Sequence, residues 1–553
     1  MPAPGVPAVL SAGNVDAATL IHAQVYQASK TGDYHPLGAV SKDLIDSFGV
    51  RMVTAVLAGY GDKLNADPEI YQEFSRVLRA AMDYALAHPE EAFNAVGKEY
   101  NIEPGFYDAW FSSYSEFPVL LSKDDMKAIQ VLWDKCAELG LLTDVPVVER
   151  DRRWQQLRTK MKIAGINAIV LMGNDLWNGM GMINFRYLMQ VGSYMGAVGL
   201  FPIEGDPVLW IGPEHMGRPY WRTLSEQEWV TDIRDRKGWS VVAAEIRDRK
   251  LDRGKIGYAV FSNTLSSAAI LEGDKRSLNR EFPNCAIVDA SHMLTEMRLI
   301  KSEVEIDMLR EAGRCARIAL DAFIENARPG LTERELFSEV LKAQIVAGAE
   351  PNLHLFMSSG PVEHPVDEMW HLLHASEQPF APVGRMLEQG DVVITEYHTK
   401  YAGYRCHTEF SAYLGPKAPD QLRRIWDVSV ECLEASKEAL TAGRSFQEAW
   451  RMIRRPAEKA GLDYVELGWH GMGLDSPVFP TVVYPEGRGS PAGNGAGTED
   501  WELQEGMTMG NNIDLHDPSW KRDVGLMLAD FMVVRPGRAE CLVDVPTELP
   551  QVG

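Results

Sequence analysis

Paired cysteines, a surplus of cations and long apolar runs are all missing from this chain. Six cysteines, at 136, 285, 315, 406, 432 and 541, include no Cys-x-x-Cys pair. Neither a disulfide framework nor a thiolate zinc site is signalled. Lys and Arg number 55 against 78 Asp and Glu, a formal charge of −23. Nucleic acids and anionic membrane surfaces require clustered positive charge, so both are excluded as expected partners. No apolar run reaches the length of a membrane span, and the opening MPAPGVPAVLSAGN has no basic n-region. A cytoplasmic protein is the expectation. Two catalytic signatures are also missing. There is no Gly-x-Ser-x-Gly elbow, and the glycines of MGNDLWNGMGMIN are wrongly spaced for a dinucleotide turn.

What is present is an ordinary globular composition, 45% apolar and 24% charged, spread over 553 residues. That length exceeds a single core and suggests about three domains. Residues 1–148 read as a helical module. Pro68 to His88 and Ser122 to Leu142 carry apolar residues at helical spacing behind acidic first turns. The piece from His88 to Leu142 resembles the C-terminal helical part of periplasmic substrate-binding proteins of the sulfonate and thiamine-precursor type. Without the two α/β lobes of those proteins it implies an added packing, dimer or covering module. Val145 to Glu149 reads as a joint. Residues 149–292 then alternate helix and strand: an amphipathic helix Arg152 to Ala164 closed by Gly165, and apolar strands at 167–172, 197–202, 207–211 and 255–260.

The richest chemistry lies in GDVVITEYHTKYAGYRCHTEFSAYLG, residues 390–415. Apolar and polar residues alternate at period two on both sides of Lys400-Tyr401-Ala402-Gly403, which predicts a hairpin. A two-residue turn at Tyr401 and Ala402 places Glu396 opposite His407, with His398 and Glu409 on the same face. Two imidazoles and two carboxylates on one half-apolar face are costly unless paired, bonded or ligating.

The phrase MLTEMRLIKSEVEI and its continuation to Leu341 resemble the junction and first long helices of the pita-bread family of creatinase, aminopeptidase P and methionine aminopeptidase. INFRYL and KIGYA resemble that family's small N-terminal domain. The fold implied is α/β (α+β): a helical N-terminal module, a creatinase-type small α/β domain at 149–292, and a pita-bread catalytic domain at 293–553. The residues support this independently. Glu303, Glu305 and Asp307 open a helix with an apolar face of Ile306, Leu309, Ala312 and Ala316, and Thr332 with Glu335 forms a capping box.

In the family's peptidases five side chains hold two metal ions. On this sequence those positions fall at Glu396, His407, His470 (in GWHGMG), Asn512 (in EGMTMGNNIDL) and Ala529, so only His470 keeps the family's residue. Alanine cannot ligate and an amide ligates weakly, which argues against a two-metal peptidase centre. The resemblance therefore implies a creatinase-like hydrolase that cleaves a C–N or related bond of a small polar substrate. It further implies a homodimer.

Candidate acid/base groups are His374 and His470, with Glu396 and His407 beside them. His371, His398, Glu409 and Asn512 are expected to contact substrate or support the site. His364 is a weaker candidate, and Asp514, His516 and Asp517 read as turn residues. An alternative places one divalent ion (Fe, Mn or Zn) on Glu396, His407 and His470, the facial set of a mononuclear iron oxygenase or a metal-assisted lyase. A third alternative is a non-catalytic binding or scaffold protein.

Overall fold

The computed structural model describes residues 145–173, 180–192, 196–211, 228–234, 239–260, 275–351, 355–364, 382–474, 478–482, 501–521 and 523–552, with scattered positions between 73 and 127. Two compact units divide the chain, Met1–Thr143 and Asp144–Gly553. The first lies almost entirely outside the described residues, as do His371 and His374.

The second unit begins with helix α1 (Val147–Ala164), which buries Trp154, Leu157 and Met161 and ends on Gly165 in the left-handed region. Its start at Val147 takes in residues the sequence suggested as a joint. Proline-fixed geometry at Pro146 opens the helix five residues before the apolar periodicity is visible. Strands β1 (Ile166–Gly173), β2 (Ala197–Pro202), β3 (Val208–Ile211), β4 (Asp232–Arg234), β5 (Lys255–Ala259) and β6 (Ala286–Asp289) form one mixed sheet in the order β4-β3-β2-β1-β5-β6. Helices α2 (Ile183–Met189) and α3 (Trp239–Asp248) belong to this part.

Helix α4 (Ser291–Leu299) leads into a succession met twice: two helices followed by three strands. The first copy is α5 (Glu303–Asn326), α6 (Glu333–Val346), β7 (Leu355–Pro361), β8 (Asp391–Tyr401) and β9 (Tyr404–Leu414). The second is α7 (Asp420–Ala439), α8 (Phe446–Ala460), β10 (Asp463–Gly471), β11 (Val478–Val482) and β12 (Thr508–His516). Short strands β13 (Gly525–Met527), β14 (Phe531–Val533), β15 (Glu540–Cys541) and β16 (Gln551–Val552) complete two sheets. Their orders are β16-β9-β8-β7 and β11-β10-β12-β14-β15, with β13 on β12.

Helix α5 carries capping boxes' first example, Ser302 with Glu305, and α6 the expected one, Thr332 with Glu335. The buried face of α5 runs Ile306, Leu309, Ala312, Ala316, Leu320 and Phe323. From there aromatic edges continue the core: Phe323 meets Phe410 at 6.5 Å and Phe410 meets Trp426 at 5.3 Å. The helices thus back both sheets and leave the opposite sheet faces to approach each other.

Candidate active site

The site lies where the β8–β9 hairpin faces β10 and β12. Its register differs from the expected one. Tyr401 pairs with Tyr404, so the turn residues are Ala402 and Gly403, at φ of 47° and 84°. A two-residue turn of this kind needs positive φ at both positions, and Gly403 supplies the second without strain. Moving the turn by one residue moves each cross-strand partner by two. His398 lies opposite His407, and Glu396 opposite Glu409, not opposite His407 as expected. All four remain on one face because the strand period is two.

This register brings His407 Nδ1 to 3.1 Å from His398 Nε2. Glu396 Oε1 lies 3.3 Å from His398 Nε2 and 3.9 Å from His407 Nδ1. Donor atoms of Glu396, His398 and His407 all fall within 4.8 Å of one another. Ligand atoms about 2.1 Å from one ion stand roughly 3 to 3.5 Å apart, so the donor set fits a single divalent cation. The three ligand candidates thus include His398, expected as a substrate contact. His470 takes a flanking position: its ring stands edge-on to His407 with centroids 5.1 Å apart, and its Nδ1 is 3.3 Å from the Gly471 carbonyl.

Behind His407 lies a second layer. Glu409 Oε1 is 3.4 Å from His407 Nε2 and accepts a 2.7 Å hydrogen bond from Asn512 Nδ2. Asn512 is therefore a donor to a carboxylate. Asp514, two residues on, lies buried on β12 and beside Glu409, correcting its reading as a turn residue. Strand alternation carries Gly510, Asn512 and Asp514 to one face, a signal present in the sequence but hidden by its Asn and Asp content. Glu466 on β10 also reaches this cluster electrostatically, and no sequence motif marked it. Ala529 contributes only backbone, its N–H bonding the Glu409 carbonyl at 2.9 Å. His364 is exposed, well removed in character from the buried cluster.

Burial dominates the electrostatics. It holds the His407 imidazole below its ordinary range despite nearby Glu396, so the ring is neutral at pH 7. Burial, reinforced by Glu396 and Glu466, raises the Glu409 carboxyl well above the usual range. Asp514 is raised likewise, by burial and then by Glu409. The face is rich in acceptors and poor in charge-balancing donors, the electrostatic character of a cation site.

Comparisons with known proteins agree with this architecture. A profile for the Creatinase/Prolidase N-terminal domain matches residues 153–300, and one for Metallopeptidase family M24 matches residues 307–536. A profile described as NMT1/THI5 like matches residues 5–92, which overlaps the piece that suggested a substrate-binding protein only at residues 88–92. An Xaa-Pro dipeptidase of Lactobacillus delbrueckii subsp. lactis is 24% identical over 300 residues, covering 53% of this chain and 73% of that protein. The ectoine hydrolase of Halomonas elongata is 23% identical over 427 residues, covering 72% and 96%. Among solved structures, an Xaa-Pro dipeptidase from Bacillus anthracis aligns with a TM-score of 0.56 and 20% identity, covering 72% of this chain and 99% of that one. With a creatinase-type domain leading into an M24 domain of helix-backed, facing sheets, the chain belongs to the creatinase/aminopeptidase P pita-bread family.

Proposed function

We propose that the chain is a hydrolase acting on a C–N or related bond of a small polar substrate, assisted by one divalent ion on Glu396, His398 and His407. The observation that carries this reading is the convergence of those three donors within 4.8 Å. Two relatives, named for the hydrolysis of ectoine and for Xaa-Pro dipeptides, support the reaction class. When bound, a divalent ion would polarise a carbonyl or acidify water.

The chain's own residues supply the rest. Glu396 provides negative charge, and His398 and His407 provide lone pairs. His470, beside His407, is placed to move a proton between water and leaving group; His374 is the second candidate for that role. Asn512 and Glu409 hold the cluster from behind. A two-ion centre of the peptidase kind is not part of this reading, because Ala529 and Asn512 stand at two of the five positions and Asn512 is engaged with Glu409.

The free thiols of Cys285, Cys315, Cys406, Cys432 and Cys541 suit a reducing cytoplasm. A homodimer is part of the proposal and is tested by light scattering. The function is tested by metal-dependent release of amine from dipeptides and cyclic amidines, with His470→Ala as the control for proton transfer. Turnover by folded His470→Ala at the wild-type rate would remove His470 from the mechanism.

A second reading keeps the same donor set. Two histidines and one carboxylate also suit a mononuclear iron centre. Consumption of dioxygen coupled to substrate loss distinguishes this from hydrolysis, which consumes only water.

A further inference from the structure

His407 has two ring nitrogens and two different neighbourhoods. Nδ1 faces Glu396 and His398, while Nε2 faces Glu409 Oε1 at 3.4 Å. Gly510 lies against the ring itself: a Cβ there would stand 2.9 Å from His407 Cβ and 3.0 Å from Cγ. Only glycine lets β12 approach this closely, and the approach fixes the plane of the imidazole.

We propose that Glu409 is a positioning residue: its Oε1, held by Asn512, accepts the Nε2 proton of His407 and so turns the Nδ1 lone pair toward Glu396 and His398. An imidazole whose outer nitrogen donates to a carboxylate has its tautomer and orientation set before it meets an ion. Oε1 accepts from the Asn512 amide at 2.7 Å and stands 3.4 Å from His407 Nε2, a buried nitrogen that makes no hydrogen bond of its own. The opposite oxygen, Oε2, and Asp514 Oδ1 are buried and meet no donor. Glu409 and Asp514 are not a second ion site. Among the described residues, the one set of donors that converges is Glu396, His398 and His407.

This assignment rests on the proposed ion site, and the two can fail separately. Selective 15N-histidine labelling of the ion-free protein reports the tautomer of His407 directly. Wild type is expected to show the Nε2–H form, and Glu409→Leu a loss of that preference. Titration with Zn2+ by calorimetry is expected to show affinity falling about tenfold in Glu409→Gln and up to about a hundredfold in Glu409→Leu. Glu409→Gln keeps the side chain's shape and an acceptor for Asn512, so it decides the matter if the leucine variant does not fold. An unchanged tautomer together with wild-type Zn2+ affinity in the folded variants overturns the assignment. Zn2+ binding absent from wild type, or equally strong in Glu396→Ala, overturns the ion site instead, while the tautomer spectrum still tests Glu409.

Discussion

Two buried charged clusters in this unit are built in opposite ways. Around Arg153, which is fully buried, the guanidinium bonds Glu149 at 2.8 Å, the Tyr187 carbonyl at 2.9 Å and the Tyr404 hydroxyl at 2.8 Å. Tyr404 in turn donates to Glu305 at 3.0 Å, and Ser302 donates to Glu149. Every charge there has an opposite charge or a donor, and the cluster ties α1 and α5 to the start of β9. Around His407 the neighbours are Glu396, Glu409, Glu466 and Asp514, and burial holds the His407 imidazole itself below its ordinary range. The first cluster satisfies itself and is structural. The second presents converging acceptors, and its arrangement suits a cation. Burial of charge alone therefore does not mark function; the sign and pairing of what is buried do.

That contrast can be broken most sharply at the site. Glu396→Ala is expected to lower turnover by about a thousandfold or more, the order of a lost charged contact to a catalytic ion. Stability of the ion-free protein should change by less than about 1 kcal/mol, because a repulsive neighbour of Glu409 is removed. A steady-state assay beside a urea melt checks both. A large loss of stability would place Glu396 among structural residues.

Arg153→Met should show the reverse. Removing the buried guanidinium shared by Glu149 and Glu305, which leaves them only the half-exposed Arg152 as a cation, costs about 3 kcal/mol, read as a lower urea midpoint. Zn2+ affinity of the remaining folded protein should stay near wild type. A melt unchanged by this substitution would contradict the structural role of the tie.

Ion binding itself gives the next effect. Saturating Zn2+ at about a hundred times its dissociation constant is expected to raise unfolding stability by about 2.7 kcal/mol. The increment should survive in Arg153→Met and vanish in Glu396→Ala, both followed by melts with and without chelator.

The smallest effect is on pH. Burial pushes the Glu149 carboxyl up, but Arg152 and Arg153 outweigh it and leave it below its ordinary value. A carboxyl depressed in the folded state stabilises above its unfolded value near 4.5 and loses that contribution as pH falls through the folded value. Melts between pH 5 and 3 should therefore show a shallower acid loss in a Glu149→Gln variant than in wild type, from a lower starting stability.

Much of this was legible in the sequence, for identifiable reasons. Period-two alternation reported the hairpin, and the Ser/Thr-x-x-Glu spacing reported the cap of α6, because both are local signals. The turn was misplaced by one residue because Ala402 and Gly403 both adopt positive φ, and Ala402 carries no sequence mark of that. That slip paired Glu396 with the wrong partner. Asp514 and Glu466 were missed as site groups because their roles come from two sheets meeting, a relation between residues distant in sequence. The Arg153 tie escaped for the same reason, since Arg153 and Tyr404 are 251 residues apart.

The central claim is that Glu396, His398 and His407 hold one divalent ion. Elemental analysis of protein purified without chelator, beside a Glu396→Ala, His398→Ala double variant, tests it most directly. About one ion per chain in wild type and none in the folded double variant is the predicted result. Absence of any ion from wild type even after equilibration with Fe2+, Mn2+ and Zn2+, or full retention by the double variant, would contradict it.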